Sequence, residues 1–154
     1  MSDAENTATA ATVPGQAGPT DSRADHVQLS MPAESAYLSV LRTATAGLAA
    51  RLDFTLDEIE DLRIAVDEAC AMLLAQAIPG TSLECGFDLG ADQVTIVVSV
   101  VAAEPRIPAK DTFAWTVLSA LAGTVDSRLD PEDRVAIVLA KSRTAQRRSL
   151  PRSG

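Results

Sequence analysis

The residues best suited to chemistry lie together in one short run, Arg63-Ile64-Ala65-Val66-Asp67-Glu68-Ala69-Cys70-Ala71-Met72. Asp67 and Glu68 are adjacent carboxylates. A carboxylate serves as a general base only where a proton and an acceptor are positioned for it. Met72 stands one helical turn beyond Glu68, and residues i and i+4 on a helix project from one face. Methionine commonly fills a core or a pocket, and Cys70 reads as a small buried hydrophobe. Outside this run the inventory is thin. His26 is the only histidine and stands at the edge of what reads as a disordered tail, which removes the usual Ser-His and Cys-His nucleophile pairs. Two cysteines, Cys70 and Cys85, give no CxxC, and with one histidine there is no four-ligand zinc set.

The element that must carry this run is Thr55 to Ala77 (TLDEIEDLRIAVDEACAMLLAQA). Thr55 followed by Glu58 fits a capping box. Asp57, Glu58, Glu60 and Asp61 crowd the first turns, where the helix dipole favours negative charge. Ile59, Leu62, Val66, Ala69, Leu73 and Ala77 recur at spacings of three and four, an apolar stripe facing a core. Arg63 and Asp67 are spaced to pair at i,i+4. Pro79-Gly80 stops the helix.

The neighbouring elements follow from the same patterns. Val27 to Met31 alternates apolar and polar residues and predicts a strand. Ala33 to Leu52 predicts a helix with Tyr37, Leu38, Leu41, Ala44, Thr45, Leu48 and Leu52 on one side; Gly47 weakens it. Arg42 falls near its polar face, where an ordinary solvated arginine is the plain expectation. Ser82 to Leu89 and Gln93 to Val101 predict a hairpin turning at Gly90-Ala91-Asp92. Ala102 to Lys110 is a loop, Phe113 to Ala122 a short apolar helix capped by Asp111 or Thr112, and Val125 to Leu129 and Arg134 to Ala140 two further strands. This order predicts an α/β (α+β) two-layer sandwich, with helices on one face of a mostly antiparallel mixed sheet.

Length and composition set the bounds. The 154 residues suit one domain with a real core. Residues 1–25, rich in Ala, Thr, Ser, Pro and Gly, read as a disordered tail, residues 26–141 as the folded domain, and 142–154 as a basic tail. A net charge of −8 argues against direct nucleic-acid binding and permits a basic protein partner. With neither a membrane span nor a signal peptide in view, the expected compartment is the cytoplasm.

The order of elements, with Ala65-Val66-Asp67-Glu68-Ala69-Cys70 in the second helix, resembles the GHKL ATPase/kinase superfamily, and within it the bacterial anti-sigma factor/serine-protein kinase family (RsbW-like). The resemblance covers about residues 27–141 and is best over Leu52–Cys70. It implies ATP and Mg²⁺, with Glu68 as the base. The magnesium-holding asparagine of the family falls at Met72, and a thioether is a poor ligand for a hard cation. The only asparagine is Asn6, and Gln76 lies a turn further on, about 6 Å along the axis. The family's Asp-x-Gly-x-Gly segment falls at Val101–Pro105, where Glu104 alone could stand in for the aspartate. Its glycine-rich turn falls at Thr112–Leu118, where Phe113 and Trp115 are expected to take the space of a phosphate. The nucleotide pocket is therefore expected to be filled with apolar side chains. Arg42 falls where the family's first helix contacts the sigma factor and its antagonist.

Together these residues favour an anti-sigma factor that regulates transcription, as in stress responses, by sequestering an alternative sigma factor until an anti-anti-sigma protein of the STAS type competes for it. Kinase activity is expected to be weak or lost. An active ATP-dependent serine kinase acting on that antagonist is the alternative. A small-ligand-binding α/β module is an alternative of another class. The resemblance also raises a homodimer, for which no patch in the sequence speaks.

Overall fold

A computed structural model describes residues 25–144. The expected tails lie outside them, apart from Asp25 and Ser142 to Thr144. The elements run β1 (Asp25–Pro32), a 3₁₀ turn (Ser35–Tyr37), α1 (Leu38–Arg51), α2 (Leu56–Leu74), β2 (Ser82–Leu89), β3 (Gln93–Val101), α3 (Phe113–Ala122), β4 (Thr124–Leu129) and β5 (Arg134–Ser142). The strands form one sheet in the order β1-β2-β3-β5-β4. Every pairing is antiparallel, so the sheet is not mixed.

Alternation along the strands decides which face takes the helices. Leu83, Cys85, Phe87 and Leu89 of β2, Val94, Ile96, Val98 and Val100 of β3, and Val135, Ile137 and Leu139 of β5 are buried. They meet Leu41 and Ala49 of α1, Leu62, Ala65, Val66, Ala69 and Leu73 of α2, and Trp115 and Leu118 of α3 in one core. The opposite face carries His26, Gln28, Ser30, Glu84 and Asp88, joined by side-chain hydrogen bonds. Arg134 staples that face: its Nε donates to Ser99 Oγ at 3.1 Å and its Nη2 to Ser99 O at 3.1 Å and Ser82 O at 3.3 Å.

Two helices differ from the spacing-based expectation, each for a backbone reason. The residues after Pro32 do not enter an α-helix directly, because Ala33 N donates to Thr81 O and a 3₁₀ turn intervenes. α2 ends at Leu74, not Ala77. Gln76 N and Ala77 N fall back on the carbonyls three residues earlier, Ala77 bridges to Ala102, and Ile78 N donates to Val101 O at 2.9 Å. The chain leaves the helix there to join the sheet.

Candidate functional site

α2 is positioned from its first residue. Thr55 Oγ1 accepts from Glu58 N at 3.1 Å, and Glu58 Oε1 accepts from Thr55 N at 2.8 Å, the reciprocal pair of a capping box. Glu58 is buried and works at a second place. Its Oε2 accepts from Thr144 N at 2.8 Å and from the Thr144 hydroxyl. Burial pushes its carboxyl up, but the hydrogen bonds from Thr144 and Thr55 outweigh that and bring it down to about 2. The carboxylate thus fixes both the start of α2 and the segment just after β5.

Leu62, Ala65, Val66, Ala69, Cys70 and Leu73 bury one face of α2, which leaves Arg63, Asp67, Glu68 and Met72 half-exposed along its border. The expected Arg63–Asp67 pair does not form. Arg63 Nη1 donates to Glu60 at 2.8 Å, and Asp67 is taken by Arg42 of α1, whose Nη1 lies 2.9 and 3.0 Å from its two oxygens. Arg42 is therefore not a freely solvated arginine but an inter-helix partner of the residue next to Glu68. No spacing within one helix could have signalled this, because the pair crosses between helices.

Beside the C-terminal end of α2 lies a hollow of about 500 Å³ lined by Met72, Gln76, Arg106, Ile107, Pro108, Ala109, Thr112 and Ala114. Glu68 and Glu104 are not in its lining; Glu104 is exposed on the loop after β3. The expectation that Phe113 and Trp115 fill the pocket is corrected. Phe113 is 82% exposed, while Trp115 turns into the core with Lys110 Nζ 5.7 Å from its ring centroid. Both side chains leave the hollow open, and the small side chain of Ala114 faces it.

The resemblance implies Mg²⁺ and ATP at this place, and the side chains do not fit them. Met72 offers a thioether where a hard cation needs oxygen. Gln76, the nearest amide, is already engaged at both ends: its Nε2 donates to Arg106 O at 2.8 Å and its Oε1 accepts from Arg106 N at 2.9 Å. That two-point clamp ties the 102–112 connection to α2. At the start of α3 the Trp115 amide is used by the cap, donating to Thr112 Oγ1 at 3.1 Å, so it is not free for a phosphate oxygen. Among the described residues no group of three His, Cys, Asp or Glu side chains could hold a metal ion. Cys70 is buried, and burial followed by the Asp67 charge pushes its thiol up to about 12, so it is not a nucleophile near neutral pH.

Three helices on one face of a five-stranded antiparallel sheet, with an acidic α2 against it, define a GHKL-like α+β protein. No family model matches the chain. Curated proteins do. The anti-sigma-F factor RsbW of Mycobacterium tuberculosis is 34% identical over 101 residues, 66% of this chain and 60% of that protein. The serine-protein kinase RsbW of Bacillus cereus is 30% identical over 107 residues, 68% of this chain and 61% of that protein. That of Bacillus subtilis is 43% identical over 54 residues, 35% and 34% of the two chains. The chain is similar to RsbW-like proteins over about two thirds of its own length, and it spans about 60% of the length of the first curated relatives it matches. No described helix is long and apolar enough to cross a membrane.

Proposed function

We propose that the chain is an anti-sigma factor. It sequesters an alternative RNA polymerase sigma factor by protein–protein contact and gives it up when a STAS-type anti-anti-sigma protein competes, so regulating transcription in the cytoplasm. The observation that carries the proposal is the state of the cation position. Met72 faces the hollow, and Gln76 is tied to the Arg106 backbone. With a thioether at that position and the Gln76 amide oxygen already accepting from Arg106 N, this scaffold suits protein binding better than cation-dependent phosphate transfer. The similarity to a mycobacterial protein named anti-sigma-F factor supports the same conclusion. Residues 26–141 form the binding domain, Arg42 is a partner contact, and Glu68 is a remnant of a catalytic position. The net charge of −8 suits a protein partner over nucleic acid. A homodimer belongs to the same reading, tested by light scattering on the eluting species.

The test is reconstitution. The purified chain is mixed in turn with each alternative sigma factor of the source organism and passed over a sizing column, then challenged with STAS-domain proteins. A stable complex with one sigma factor, released by one STAS protein, is the expected result. Recovery of neither complex would refute the proposal.

The serine kinase reading keeps one observation in its favour. Glu68 is half-exposed, and no described side chain hydrogen-bonds to its carboxylate. Phosphate transfer from Mg·ATP to a STAS-protein serine, lost in Glu68→Ala, would favour that reading.

A further inference from the structure

Arg42 and Asp67 meet through a single nitrogen. Both hydrogen bonds to the Asp67 oxygens, at 2.9 and 3.0 Å, come from Arg42 Nη1. A guanidinium carries five N–H donors in a planar fork. The side-on edge made by Nε and Nη2 is not used by any described acceptor. Neither of these atoms is among the described buried polar groups left without partners. The two side chains are 35% and 37% exposed. The arginine is therefore held on one side and open on the other.

We propose that Asp67 is a positioning residue. It fixes the Arg42 guanidinium between α1 and α2 so that the Nε–Nη2 edge is presented, already ordered, to a carboxylate of the docking partner. The inference rests on Arg42 being a partner contact. It assigns a role to Asp67, which the resemblance to an anti-sigma family leaves without one. The physical argument is preorganisation. A long arginine side chain loses much rotamer freedom on binding, and a side chain already pinned by a neighbouring carboxylate loses less. A flat fork receives a carboxylate through two parallel hydrogen bonds, which a lysine ammonium cannot do. Asp67 also sets the direction of approach, because the Nη1 side of the guanidinium is occupied.

The alternative role for Asp67 is that of a competitor, an internal carboxylate that the partner must displace. The two roles give opposite signs. Removing a positioner weakens binding, whereas removing a competitor strengthens it.

The experiment has two arms on the full chain. The first measures affinity for the sigma factor retained in reconstitution, for wild type, Asp67→Asn, Asp67→Glu, Arg42→Lys and Arg42→Ala. Arg42→Ala and Arg42→Lys are expected to weaken binding about tenfold or more, and Asp67→Asn by about three- to tenfold. Asp67→Glu restores affinity to within about threefold, and melting temperatures change little, as for other partly exposed pairs. The second arm needs no sigma factor. The Arg42 Nε–H resonance is followed while a capped triglutamate peptide is added, with capped triglutamine as control. A saturable shift with triglutamate alone, diminished in Asp67→Asn, is expected.

Tighter or unchanged binding in Asp67→Asn, or wild-type affinity in Arg42→Lys, overturns the inference while leaving the anti-sigma function standing. A peptide shift in a chain that retains no sigma factor supports the carboxylate site and refutes the function. The absence of any triglutamate-specific shift overturns the inference in either case.

Discussion

Glu58 joins parts of the chain that lie far apart in sequence. It accepts from Thr55 to start α2 and from Thr144, 86 residues away, to fasten the segment just after β5. Its carboxyl is held at about 2, below its ordinary value of 4.5. A depressed folded pKa gives stability that is present above the ordinary value and is lost as pH falls from 4.5 to about 2. Thr144→Val removes the hydroxyl donor, so it should lower stability near neutrality and flatten the acid limb in that window. Circular dichroism melts from pH 7 to 2 check this; an unaltered acid limb contradicts it. His26 shifts the other way. Its Nδ1 lies 2.7 Å from Asp88 Oδ1 and its Nε2 3.0 Å from Gln28 Oε1, two acceptors that the doubly protonated ring satisfies together. The hydrogen bond to Asp88, then that to Gln28, raises its pKa above 6.5. That contribution is complete below pH 6.5 and is lost as pH rises through the folded value. NMR titration should place the imidazole above 6.5 in the wild type and closer to it in Asp88→Asn. At this scale the sequence was least informative. His26 looked like the edge of a tail, and Asp67 looked like the partner of Arg63. Both engage residues from other elements, which only the fold brings near.

The elements themselves were legible because their signals are local. The capping box at Thr55–Glu58, the α2 stripe, the β2–β3 turn and the Thr112 cap all appear where spacing and turn residues put them. The exceptions are ends. α2 stops early because Ala77 and Ile78 bond to the sheet, a competition that helical periodicity does not report. Phe113 and Trp115 were legible as bulky but not as to direction: one faces solvent and the other the core, so the hollow survives. Two substitutions test the helices. Gly47 is exposed in α1, and a Cβ there would meet nothing within 4 Å. Gly47→Ala should stabilise the protein by about 0.5–1 kcal/mol, read as a raised denaturant midpoint. Leu73, fully buried on α2, anchors the turn that carries Met72. Leu73→Ala should cost about 2–5 kcal/mol by the same measurement. A loss under about 1 kcal/mol would mean that α2 is not packed as described.

At the scale of the molecule, the sheet and helices make a platform of RsbW-like build, with a hollow lined by Met72 and Gln76 beside the C-terminal end of α2. The platform is kept by burial, which tolerates many apolar sequences. Phosphoryl chemistry would need a few free polar atoms there, and the groups at that place are otherwise engaged: Met72 offers sulfur, Gln76 is tied to Arg106, and the Trp115 amide is tied to Thr112. Regulation would then act through competition between protein partners, without a phosphoryl step. The measurement that tests this most directly is calorimetric titration of the wild-type chain with the sigma factor retained in reconstitution, with and without saturating Mg·ATP. The expected result is a tight complex with the same dissociation constant in both, and no heat when Mg·ATP alone is added. Micromolar binding of Mg·ATP, with a sigma-factor affinity that depends on it, would rule out regulation by competition alone.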